Sequence, residues 1–247
     1  MSNSRMACFT PLSDATLPVH PYEEHRTTEL RTAHRKAERL FREIEERGLI
    51  RSRMSECRLN EDIYGLAKEM YGITTYWHKR IVRAGRNTLA PYAEIPSDLM
   101  IGEDDILFLD LGPVFEDWEA DFGRTFVIGS DPLKLKLRDD VGRAFAEGKR
   151  YFHQTPGITA SQLYAYVVSL AQKFGWEFGG PIAGHLIGQF PHEKIAEDKV
   201  TLYVHPDSHL LMRSLNEKGQ KRHWILEIHF VDREEEIGGF YEELLTI

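Results

Sequence analysis

The sequence predicts an α+β fold of two similar halves, each a pair of helices leading into an antiparallel sheet. Three observations carry this. Apolar stripes of helical period come in two pairs, offset by about 110 residues along the chain. Each pair is followed by short apolar runs that read as strands. Those runs carry isolated carboxylates among apolar neighbours, at Asp110, Asp121, Glu227 and the acidic pair near the C-terminus.

Taken in order, the stretch to Glu24 is rich in Ser, Thr and Pro and reads as an arm, assigned to residues 1–27 ahead of a single domain over residues 28–247. From Glu24 to Gly48, Leu30, Ala33, Ala37, Leu40, Phe41 and Ile44 recur on one helical face, and the glycine ends the helix. Asn60 is the expected cap of a second helix with Ile63, Leu66, Ala67 and Met70 inward. Ile106 to Gly112 and Asp121 to Gly129 read as two strands of a hairpin that turns near Phe115 to Asp117. Period-2 alternation puts Ile106, Phe108 and Asp110 on one face, and the turn brings Asp121 to within about a residue of facing Asp110. Val141, Phe145, Gly148 and Phe152 line a third helix. Thr159 caps a fourth, with Leu163, Val167, Ala171 and Phe174 inward and Gly175 at its end.

Composition bounds the function classes. The 247 residues are 42% hydrophobic and 28% charged, enough for one sizeable core. A formal charge of -8 argues against nonspecific nucleic-acid binding, which needs basic patches. No apolar run approaches the length of a membrane span, so no membrane partner is expected. Cys8 and Cys57 are too few for a disulfide framework, which fits a reducing cytoplasm.

The chemistry lies in the strand carboxylates and in a glycine-rich segment. Two carboxylates held close in an apolar sheet repel and lose hydration, and a bound dication is one way to compensate them. Gly179 to Glu193 places His185 and His192 among glycines, which let backbone approach a ligand closely. Glu227 sits within the apolar run Trp224-Ile225-Leu226-Glu227-Ile228, and Glu242-Glu243 precedes Leu244-Leu245-Thr246.

In that order, Asp110 and Asp121, Gly184-His185-Leu186-Ile187-Gly188, Glu227 and Glu243 resemble the methionine aminopeptidase, prolidase and creatinase family of pita-bread metallohydrolases. The resemblance runs from about residue 28 to the end, and it implies the pita-bread fold with its pseudo-twofold halves. It implies metal ligands at Asp110, Asp121, His185, Glu227 and Glu243, with Glu242 set aside as one residue out of register. Asp121 and Glu243 would bridge two divalent ions, Asp110 would bind one, and His185 and Glu227 the other. Such a carboxylate-rich set with one imidazole suits manganese, iron, cobalt or zinc. Glu227 would also move the proton of the attacking water, and His192 in Pro191-His192-Glu193 would donate to the substrate carbonyl.

Two departures limit the resemblance. The family's peptidases usually carry a histidine after a proline, eighteen residues before the first aspartate; here Tyr92 follows Pro91. A phenol donates a hydrogen bond but does not shuttle protons near neutral pH. Ile228-His229-Phe230 replaces the proline-glycine continuation after Glu227, and Glu242 comes only fifteen residues after Glu227, so the last hairpin is tight. The resemblance implies a hydrolase of a C–N amide bond, most like an Xaa-Pro aminopeptidase acting on a peptide. The alternatives are a hydrolase of small metabolic amides or amidines, and a binding module that keeps the fold. The separate N-terminal domain of prolidases is not expected, so any homodimer would use the catalytic domain or the arm.

Overall fold

The computed structural model describes residues 21–191 and 199–247. Two helices open the chain, α1 (Pro21–Glu46) and α2 (Glu56–Tyr71). The first starts slightly ahead of the Glu24 expected from its apolar stripe. The second starts before Asn60: Ser55 is the cap, its side chain accepting from the Arg58 backbone N–H, and Gly72 closes the helix in the left-handed conformation. Asn60 instead lies inside the helix, where its amide joins Arg80.

Strand β1 (Ile81–Ala84) then pairs antiparallel with β2 (Asp105–Leu111). A small two-stranded tip, β3 (Val114–Phe115) with β4 (Trp118–Glu119), turns the chain back into β5 (Phe122–Ile128). The hairpin register sets Asp110 opposite Gly123, so Asp121 lies two residues beyond the facing position, on the same face of the sheet.

The plan then repeats. Helix α3 (Pro132–Gln154) is capped by Asp131, and α4 (Ala160–Phe174) by Thr159 in a reciprocal capping box with Gln162. Gly175 ends α4 in the left-handed conformation. Strands β6 (Glu177–Phe178), β7 (Leu186–Ile187), β8 (His223–Asp232) and β9 (Ile237–Leu244) complete the second half. The sheet order is β1-β2-β5-β9-β8-β6, with β7 on β8, so the two halves meet where β5 pairs β9.

The two helix pairs cover one side of this sheet. Leu107, Leu109 and Leu111 pack with α1 and α2, whereas Trp224, Leu226, Ile228 and Phe230 pack with α3 and α4. Alternation turns Asp110, Glu227 and Glu242 to the other side. This is the pita-bread α+β architecture. Among the described residues, no helix is long and apolar enough to cross a membrane.

Candidate metal centre

Four carboxylates and two imidazoles converge on the open side of the sheet at the seam. Asp110 comes from β2 and Asp121 from the residue before β5. Glu227 and Glu242 are direct cross-strand partners on β8 and β9, and Glu242 is also registered opposite Gly123 of β5. His185 precedes β7 and is held by backbone pairing: its carbonyl accepts from Ile225 N at 2.8 Å, while Glu227 N donates to Ala183 O at 3.1 Å. Gly184 makes this approach possible. Its φ is +132°, and a Cβ there would lie 2.1 Å from the Ile225 carbonyl oxygen.

Asp121 is the hub. Its Oδ2 is 3.0 Å from His185 Nε2, and its Oδ1 is 3.2 Å from His78 Nε2. His78 Nε2 is also 3.4 Å from Asp110 Oδ1. On the other side, His185 Nε2 is 3.6 Å from Glu242 Oε1 and 3.7 Å from Glu227 Oε1. Two groups thus offer ligand atoms within 4.8 Å of one another: His78, Asp110 and Asp121, and Asp121, His185 and Glu242.

The electrostatics of this cluster show what it lacks. Burial pushes Asp110 up to about 6 against the pull of His78, and pushes Glu227 up to about 7. Glu242 is raised well above its ordinary value by burial and by Asp121 and Asp110 beside it. For Asp121, burial is outweighed by His78 and His185, which hold its carboxyl well below the usual range. Burial also opposes the charged form of His78, yet Asp110 and Asp121 hold that ring up at about 9, and His185 is raised likewise, chiefly by Asp121. Two imidazoles cannot neutralise four carboxylates. Among the described residues, Asp110 Oδ1 and Glu242 Oε2 are buried with no hydrogen-bond partner. Buried polar atoms without donors, in a set of carboxylates and imidazoles, fit divalent transition metals.

The residues read from sequence fall into three groups. Asp110, Asp121, His185 and Glu227 stand together in the cluster. Glu243 does not: it lies on the helix side of the sheet, accepting from Arg124 and from the Tyr241 hydroxyl at 2.9 Å. Arg124 is itself sandwiched, 3.8 Å from the ring centroids of both Phe122 and Tyr241. The carboxylate at the centre is Glu242, which the sequence reading set aside. His192 lies outside the described residues. Tyr92 stands at the rim, 54% exposed, its ring centroid 6.1 Å from that of His78. His78 was missed altogether. It sits in the nonperiodic stretch between α2 and β1, and the one signal available was its place ahead of a strand, as His185 stands in the second half.

Fold and cluster together define a pita-bread protein with a carboxylate-imidazole cluster that could hold metal. Residues 28–213 match metallopeptidase family M24, and the chain belongs to that family. It is 29% identical over 114 residues to an Xaa-Pro dipeptidase of Pyrococcus horikoshii, covering 46% of this chain and 32% of that protein. It is 29% identical over 121 residues to a methionine aminopeptidase of Staphylococcus epidermidis, covering 48% of this chain and 47% of that one. The matches therefore span less than half the length of either relative. Among solved structures, the X-Pro aminopeptidase of Thermotoga maritima superposes with a TM-score of 0.71 at 21% identity, over 91% of this chain and 61% of that one. The methionine aminopeptidase of Rickettsia prowazekii does so with a TM-score of 0.68 at 16% identity, over 94% and 100%. At these identities the likeness is one of fold.

Proposed function

We propose that the protein is a dinuclear metal-dependent hydrolase of a C–N amide bond, most like an Xaa-Pro-type aminopeptidase, working in the cytoplasm. The observation that carries this is the pair of ligand groups sharing Asp121, together with the unpartnered buried oxygens of Asp110 and Glu242. Asp110, Asp121, His185, Glu227 and Glu242 would hold the ions, with manganese, cobalt, iron or zinc suited to such donors. Ions bound there would lower the pKa of a water and polarise the scissile carbonyl.

The chain's own residues do the rest. Glu227 is the least buried carboxylate of the cluster, its side chain 16% exposed while that of Glu242 is 2% exposed. That greater exposure supports its role in taking a proton from water and passing it to the leaving nitrogen. His192, five residues after Ile187 in the sequence, is the proposed donor to the substrate carbonyl. Phe108 and Phe240, buried two residues along the same strand faces from Asp110 and Glu242, give the carboxylates an apolar flank.

A second reading, hydrolysis of small non-peptide amides, is favoured by Tyr92. With a phenol where the family's peptidases usually carry an imidazole, proton delivery to a peptide's leaving amine is weaker. The test is turnover of Xaa-Pro dipeptides and of small amides by the metal-loaded protein. Glu227→Gln is expected to abolish nearly all turnover of whichever substrate is cleaved. Full activity in that variant would remove Glu227 from the chemistry, and cleavage of small amides alone would establish the second reading.

A further inference from the structure

We propose that His78 is itself a metal ligand, supplying Nε2 to the ion held by Asp110 and Asp121. The proposal rests on the metal-centre reading above and adds to it an imidazole that the family resemblance did not supply.

The hydrogen-bond pattern of the ring argues for it. His78 Nδ1 lies 2.7 Å from the Lys79 carbonyl oxygen. A carbonyl only accepts, so Nδ1 carries the hydrogen. Nε2 is then aimed at Asp121 Oδ1 and Asp110 Oδ1, 3.2 and 3.4 Å away. Ionised carboxylates also only accept, so without an ion Nε2 meets them as an N–H donor. Displacement of that proton leaves its lone pair aimed at the space between the two carboxylates where a cation would sit. This is how ligating histidines are oriented, with the far nitrogen fixed by a backbone carbonyl or carboxylate. His185 has the same arrangement: Nδ1 is 2.8 Å from the Leu186 carbonyl, and Nε2 is turned to Asp121.

Position in the fold supports the same conclusion. His78 leads into β1 beside Asp110, after the first helix pair; His185 leads into β7, after the second. The two rings approach Asp121 from opposite halves, one at each oxygen. The strand end beside His78 is shaped to admit it, since a Cβ on Gly112 would lie 2.2 Å from His78 Cδ2 and 2.5 Å from Trp77 Nε1. Asp110 Oδ1, buried and without a hydrogen-bond partner among the described residues, points into the same space. Each ion would then have one imidazole, and Asp121 would join them.

Metal binding tests this without reference to activity. Protein stripped by chelation is titrated with Mn2+ as wild type, His78→Ala, His185→Ala and Asp121→Ala. Loss of an outer-shell partner costs up to about 100-fold in metal affinity, so loss of a ligand should cost more. His78→Ala is expected to keep one ion near wild-type affinity and bind the other more than about 100-fold more weakly. Pulsed EPR of the manganese form should lose the ring-nitrogen couplings of one histidine. Wild-type affinity for both ions in His78→Ala, with unchanged couplings, would overturn the proposal. If His185→Ala and Asp121→Ala weaken binding while His78→Ala does not, the centre stands and only this ligand falls. If none of the three weakens it, both fall. Should His78→Ala not fold, the wild-type spectrum decides: coupling to two histidines upholds the proposal, and coupling to one overturns it.

Discussion

Neighbouring residues on a strand point to opposite faces, so Glu242 and Glu243 meet different surroundings. Glu242 faces His185 and Glu227 on the open side, whereas Glu243 meets Arg124 on the helix side. Their variants should therefore part company. Glu242→Ala is expected to lose tight binding of at least one ion. Glu243→Ala should retain its metal but lose roughly 1–3 kcal/mol of stability, because Arg124 keeps its buried place without the carboxylate. Metal analysis and urea midpoints of both variants check this, and the reverse pattern would return the ligand role to Glu243. The same pair shows where sequence legibility stops. Asp110, Asp121, His185 and Glu227 each stand out as a polar group in an apolar or glycine-rich setting. Two adjacent glutamates differ only in strand parity, and that parity is set by pairing with Gly123 and Glu227, both remote in sequence. His78 was illegible for a related reason: it lies in no periodic segment, and only the folded hairpin brings the aspartates to it.

Among the elements, α1 is tied to the distant end of the sheet by one buried carboxylate. Glu23, 3% exposed, accepts from His223 Nε2 at 2.9 Å, from Arg26 at 2.8 Å and from the Lys221 backbone at 3.1 Å. The apolar stripe of the helix was readable from Leu30 onward, but Glu23 lies before the stripe, and two of its partners, Lys221 and His223, come from the start of β8 and the residues just ahead of it. Burial pushes this carboxyl up, yet His223 and Arg26 outweigh it, and its pKa is held below the ordinary glutamate value. The folded value is thus the lower one, and in the window between the two the unfolded chain binds more protons. The stabilisation is fully present above the unfolded value and is lost as pH falls through the folded one. Glu23→Ala, which breaks a buried ionic network, should cost roughly 3 kcal/mol near neutrality. Urea titrations of wild type and variant between about pH 6 and about pH 3 should show the gap closing toward acid. A gap that widens would contradict this account of Glu23.

Taken whole, the molecule places its proposed ligands on both halves: His78, Asp110 and Asp121 on the first, His185, Glu227 and Glu242 on the second. The repeat that the paired helical stripes suggested is therefore also the arrangement that sets the site at the β5–β9 seam. Metal bound there should hold the halves together. At a free-ion concentration about 100 times Kd, binding adds about 2.7 kcal/mol of stability, worth roughly 2–4 °C per kcal/mol for a chain of this size. Chelation should accordingly lower Tm by several degrees, and an unchanged Tm would contradict a metal at the seam.

Elemental analysis of the purified protein beside Asp121→Ala tests the central claim most directly, because Asp121 is the residue both ligand groups share. The expected result is close to two divalent ions per wild-type chain and neither at full occupancy in Asp121→Ala, with the variant still folded by circular dichroism. Full occupancy of both ions in Asp121→Ala would contradict it.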